Sequence, residues 1–188
     1  MPTMNTWKDS WPLIEEVCPC DVQFNEWLAV RKLKSKTIFH FGTGEHHVVG
    51  VAQSSRNNRV LGITASKGEY DAYVALVSRN PAVARNYVAY FGDIYLTRRE
   101  LLPELDVVTL FHLCEYFHPN TASQEYGGLT DRKLLDLLTD KVRKGGHILF
   151  YTRSSDFDKA KPIIAKWAKA KRVKRVDDFK LLQVYRKT

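Results

Sequence analysis

The stretch Thr37–Ser55, TIFHFGTGEHHVVGVAQSS, decides the fold. Its opening run Thr37–Phe41 is short, apolar and without strict alternation, the pattern of a strand buried on both faces. Gly42 and Gly44 follow as a turn, and Glu45–Ser55 sets Val48, Val49 and Ala52 on one side of a helix. A buried strand, a glycine turn and a crossover helix form the first unit of a mostly parallel sheet covered on both faces.

The same alternation continues downstream. Strands are expected at Val60–Thr64, Tyr87–Phe91, Leu105–Phe111 and His147–Tyr151. Helices are expected at Lys67–Ser78, at Leu134–Val142 closed by Gly145–Gly146, and at Asp156–Lys171 capped by Asp156. The chain ends in two short strands, Arg172–Val176 and Leu181–Tyr185, joined through a DD turn and therefore antiparallel. Upstream, Gln23–Lys34 reads as a helix with Phe24, Trp27, Leu28 and Leu33 inward. Residues 1–22 read as an N-terminal extension that packs on the domain or shapes a site, and 23–188 as one α/β domain.

At 188 residues the chain suits one hydrophobic core rather than two. Nine Phe, nine Tyr and four Trp argue against disorder. No apolar run reaches about 18 residues, so no membrane span is expected, and the N-terminus lacks the layout of a signal peptide. Three cysteines, an odd number, then read as reduced thiols in a cytoplasmic protein. The formal charge of +8 could suit an anionic partner, but eleven of the 29 Lys and Arg fall between Lys159 and Lys187 without an Arg-rich tail or an aromatic-basic motif. A solvated basic face is the expectation, and a nucleic-acid partner is not.

This order of elements resembles the class I S-adenosylmethionine-dependent methyltransferases over residues 23–186. The resemblance implies a three-layer αβα, Rossmann-like methyltransferase fold, with seven strands in the order 3-2-1-4-5-7-6 and strand 7 antiparallel. The family's first motif, an acid followed by alternate glycines, matches as His40-Phe41-Gly42-Thr43-Gly44-Glu45-His46. His40 stands where an acid is usual and His46 where a small residue is usual. The acid that would hold the ribose hydroxyls is replaced by Thr64, and Glu69 is the carboxylate a few residues on that can substitute. Asp93 matches the adenine-reading acid after strand three. Leu110–Tyr116, with Phe111, matches the segment after strand four that faces the substrate. The resemblance thus implies S-adenosyl-L-methionine as cofactor, with His40, Gly42, Thr43, Gly44, Thr64, Asp93 and Phe111 around it.

Four of the six histidines, His40, His46, His47 and His112, follow strands one and four, whose ends flank the switch point where such sheets bind ligands. His112 is the candidate catalytic base. His46, Glu115, Tyr116 and His118 are candidate substrate contacts, the last three within or beside the polar, aromatic loop Glu115–Tyr126. Tyr151 and Arg153 are weaker candidates, and Trp7, Trp11 and Trp27 are core or lid. His, Cys114 and Glu115 could ligate a metal, but there is no HExxH, and CPC at Cys18–Cys20 has one residue between its thiols, so no metal is expected.

Methyl transfer to a small molecule is the expected activity, since a chain of this size leaves no room for a separate target-recognition domain. The alternative is a methyltransferase-like domain without methyl transfer, acting as a ligand-binding or protein-partner module. The terminal hairpin offers an edge through which a homodimer could form.

Overall fold

The computed structural model describes residues 5–117 and 128–188. The strands are β1 (Thr37–Phe41), β2 (Arg59–Thr64), β3 (Tyr87–Phe91), β4 (Leu105–Thr109), β5 (Val142–Tyr151), β6 (Val173–Phe179) and β7 (Leu182–Lys187). They form one sheet in the order β3-β2-β1-β4-β5-β7-β6. β1 pairs in parallel with β2 and β4, and β7 runs antiparallel to β5 and β6. This is the order and direction that the family resemblance implies.

The helices are α1 (Cys20–Val30), α2 (Val48–Ser54), α3 (Lys67–Arg79), α4 (Asp131–Lys141) and α5 (Phe157–Ala170). Alternate residues of β1 feed two cores. Ile38 joins Phe24, Trp27, Leu28, Val49 and Tyr73 from α1–α3, whereas Phe39 and Phe41 join Leu134, Leu138, Ile164 and Trp167 from α4 and α5. Two buried faces explain why the central strands read as continuous apolar runs. Each such side chain contributes roughly 1.5–3 kcal/mol on burial. Among the described residues, no helix is long and apolar enough to cross a membrane.

Several boundaries differ from expectation for local reasons. α1 starts at Cys20 rather than Gln23, directly after Pro19 at its N-cap position. α2 starts at Val48 rather than Glu45, because Gly42 (φ +80°), Gly44 (φ +58°) and His47 (φ +48°) keep the preceding segment in a left-handed turn. Gly145–Gly146 do not close α4 but lie within β5, in an irregularity that sets Val142 opposite Leu105 and His147 opposite Val107. A Cβ on Gly146 would come within 2.7 Å of the Asp106 carbonyl oxygen, so the bulge needs glycine there. Asp177 and Asp178 are part of β6, one side of a second irregularity, and the chain turns instead around Lys180 (φ +54°). Asp156 makes no side-chain cap to α5 and pairs with Lys159 at 2.9 Å.

Candidate functional site

The C-terminal ends of β1–β5 open into a cavity of about 390 Å³, within the usual range for small-molecule sites. The turn after β1 contributes Gly42, Gly44 and His46 to its wall. β2 and the start of α3 contribute Thr64 and Glu69, the segment after β3 contributes Asp93, and the segment after β4 contributes His112, Glu115 and Tyr116. The N-terminal segment contributes Asn5, Trp7 and Trp11 to the lining as well. The backbone N–H of Trp7 donates to the Ala65 carbonyl oxygen at 2.9 Å, and Trp7 and Trp11 pack edge-to-face on Tyr116.

At the β2 end, the Thr64 hydroxyl donates to the Glu69 carboxylate at 2.6 Å, and the Thr43 hydroxyl lies 3.4 Å from the same oxygen. Ser66, Lys67, Gly68 and Glu69 carry the S-x-x-E spacing of a capping box. Only half of that box forms: Ser66 Oγ accepts from the Glu69 N–H, while the Glu69 side chain turns to Thr64. Burial raises the Glu69 carboxyl, against the hydrogen bond from Thr64 that lowers it.

At the β1–β4 end, Cys18, Cys20 and His112 converge. The Sγ atoms of Cys18 and Cys20 are 3.4 Å apart, and each is 4.0 Å from His112 Nε2. His112 Nδ1 is 2.9 Å from Glu115 Oε2, and the Glu115 carboxylate also accepts from the Ser154 hydroxyl and, at 2.7 Å, from the Ser155 N–H. Burial alone would lower the His112 imidazole, but the Cys18 thiol and the Glu115 carboxylate together raise it to about 10. The bond from Nδ1 to Glu115 leaves Nε2 as the ring nitrogen turned toward the two thiols, the atom through which His112 would act on a ligand. The hydrogen bond from Cys20, followed by the bond and charge of His112, holds Cys18 low despite burial; Cys20, bonded to Cys18 and buried, is raised.

Asp21 lies beneath this group. It stays ionised against its own burial because His40, 3.6 Å away, and His46, 3.9 Å away, face it. Burial lowers the His46 imidazole, against the charge of Asp21 that raises it.

The structure thus brings Gly42, Gly44, His46, Thr64, Asp93, His112, Glu115 and Tyr116 to one cavity wall. His40, Thr43 and Phe111 sit behind it: His40 bonds Thr109 at 2.8 Å and stacks on Phe24, and Phe111 packs edge-on to both rings. Tyr151 and Arg153 line the far end, and Trp27 is core. His118 and most of the Glu115–Tyr126 loop lie outside the described residues. Asp21 was not singled out by sequence, and Cys18 and Cys20 were set aside there for their spacing; their partner His112 lies 92 residues beyond Cys20. On the C-terminal basic face, Lys159, Lys161, Lys171 and Arg175 pair with Asp156, Asp158, Asp140 and Asp178.

No family model and no curated protein matches the chain by sequence. Solved structures match it in fold. The N-methyltransferase NodS from Bradyrhizobium japonicum WM9, in complex with S-adenosyl-L-homocysteine, is 12% identical with a TM-score of 0.63, covering 89% of this chain and 85% of that one. A precorrin-6y C5,15-methyltransferase from Geobacter metallireducens GS-15 is 12% identical with a TM-score of 0.61, covering 94% of both chains. A TehB-like S-adenosylmethionine-dependent methyltransferase from Corynebacterium glutamicum is 11% identical with a TM-score of 0.61, covering 88% of both. With the strand order above, these likenesses define the fold as the Rossmann-like fold of the class I S-adenosylmethionine-dependent methyltransferases.

Proposed function

We propose that this protein is an S-adenosylmethionine-dependent methyltransferase acting on a small-molecule acceptor. The observation that carries the reading is the Thr64–Glu69 pair at the end of β2. It supplies a buried carboxylate beside the position where the fold family carries its ribose-binding acid, with Thr64 fixing its direction. A carboxylate has about four acceptor sites, so hydrogen bonds from Thr64 and Thr43 do not exhaust Glu69.

Glu69 would hold the ribose hydroxyls, Asp93 the adenine, and Gly42 and Gly44 would let the ligand approach the backbone. His40 and Phe111 would support that floor from behind, and Thr43 would help to orient Glu69. When bound, S-adenosylmethionine supplies an electrophilic methyl group. His46, Glu115 and Tyr116 would contact the acceptor. His112, held by Glu115 through Nδ1, would orient the acceptor from its Nε2 side. Trp7, Trp11 and Tyr116 would exclude water over the cavity. Alignment of this kind is the main requirement of an in-line displacement.

Isothermal titration of the full chain with S-adenosylmethionine and S-adenosylhomocysteine tests the reading, with one-to-one binding of both expected. No binding of either at millimolar concentration would overturn it. One observation favours the second reading, a methyltransferase fold without methyl transfer: the His46 ring occupies the space beside Gly44, 2.2 Å from where a Cβ would stand. Binding of the cofactor without turnover across a panel of amine, thiol and hydroxyl acceptors would select it.

A further inference from the structure

We propose that Cys18, Cys20 and His112 form a binding site for one thiophilic metal ion, zinc in the first instance, in the wall of the cavity. The three donor atoms already make a triangle with sides of 3.4, 4.0 and 4.0 Å. The point equidistant from them lies about 2.2 Å from each, between the zinc–nitrogen distance of about 2.0–2.1 Å and the zinc–sulfur distance of about 2.3 Å. Closing on an ion therefore needs shifts of only a few tenths of an ångström.

The spacing that argues against a zinc motif in the linear sequence is resolved by local geometry. Pro19, between the two cysteines, turns the chain into α1, and both thiols end on the side facing the segment after β4. Two sulfurs and one imidazole nitrogen form a donor set suited to a soft or borderline ion. The surrounding groups also fit. A metal-bound histidine characteristically gives its other ring N–H to a carboxylate. Here His112 Nδ1 faces Glu115 Oε2 at 2.9 Å, and Ser154 and Ser155 hold that carboxylate in place. All three donors line the cavity, so a tetrahedral ion would keep its fourth position toward it. That position would hold water or a donor atom of the molecule in the cavity. The site does not depend on the methyltransferase reading: failed cofactor titrations would leave it standing, and its own failure would leave cofactor binding untouched.

The test uses the full chain, reduced with a phosphine and stripped with a chelator, then titrated with cobalt(II) as a spectroscopic stand-in and with zinc(II) against a chromophoric chelator. The expected result is one ion per chain, with thiolate-to-cobalt charge transfer and the visible bands of a tetrahedral site. Cys18→Ser and Cys20→Ser should abolish the charge-transfer band or cut it to that of one thiolate. Cys114→Ser should leave it unchanged, and Glu115→Gln should weaken zinc binding about 10- to 100-fold while retaining the band. X-ray absorption of the zinc-loaded wild type should give two sulfur neighbours, which keeps the test decisive if a cysteine variant misfolds. Absence of a thiolate–cobalt band in the reduced wild type, its full persistence in Cys18→Ser, or a sulfur-free zinc shell would overturn the proposal.

Discussion

The Thr64 hydroxyl donates to the Glu69 carboxylate at 2.6 Å across the mouth of β2, so the acid missing at the strand end is returned to the cavity from the first turn of α3. If this pair holds the ribose, Glu69→Gln should weaken S-adenosylhomocysteine binding by roughly 10- to 100-fold, the worth of a hydrogen bond to a charged group. Thr64→Val should lose less, since it removes only the group that aims the carboxylate. Titration calorimetry on both variants checks this. Equal affinity in Glu69→Gln and wild type would exclude Glu69 from the ligand.

His47 makes stability pH-dependent. Its ring is buried between the Tyr87 hydroxyl, 2.7 Å from Nδ1, and the Glu69 carbonyl oxygen, 2.8 Å from Nε2, and burial lowers it to about 4. An unfolded histidine titrates near 6.5, so between about pH 6.5 and 4 the unfolded chain binds the extra proton. The sign is therefore a loss of stability as pH falls through that window, up to ~1.4 kcal/mol per pH unit from this group. Urea unfolding at pH 7.5 and 5 should give a steeper loss in wild type than in His47→Gln; parallel losses would remove His47 as the cause.

Gly44 is expected to be irreplaceable for two separate reasons. Its φ of +58° costs an L-residue about 1–2 kcal/mol, and a Cβ would stand 2.2 Å from His46 Nε2. Gly44→Ala should lower unfolding free energy by at least that backbone cost and move the His46 ring. Gly92→Ala is the control, because nothing lies within 4 Å of a Cβ there, and its effect should stay within about 0.5 kcal/mol. Equal losses in the two variants would contradict the assignment.

The rings over the cavity give an optical readout. Trp7 and Trp11 lie with their ring centres 5.1 and 6.1 Å from that of Tyr116, whereas Trp27 and Trp167 are buried in the two cores. Ligand entry should change the emission of the first pair and leave the second as constant background. Replacing Trp7 and Trp11 together by Ala should remove the change and weaken binding, with little loss of thermal stability. A full fluorescence response in that double variant would place the reporter elsewhere.

The layered sheet was legible in the sequence because burial on both faces leaves a local mark. TIFHF and LDVVT in the middle of the sheet carry that signal, while YVAYF at the edge is as apolar although Val88, Tyr90 and Phe91 are exposed, and the intervening helices carry a different period. Glycine positions in the first turn were equally legible, since a left-handed backbone selects its residue type locally. The length of that turn was not, because His47 adopts the left-handed conformation without being glycine. The irregularities in β5 and β6 were also hidden, as they depend on register with a neighbouring strand.

The chemistry of the site was decided by tertiary structure. Sequence placed His112, Glu115, Thr64 and Glu69 near strand ends, but charge state and partnership depend on what faces each group across the fold. Glu69 reaches the end of β2 only because α3 sets it beside Thr64, and the His112 imidazole is raised only because Cys18 and Glu115 close on its two nitrogens. Periodicity is a property of neighbours along the chain and can be read from it. Electrostatics and ligand geometry act through a few ångströms of space, and here those ångströms join residues more than ninety positions apart.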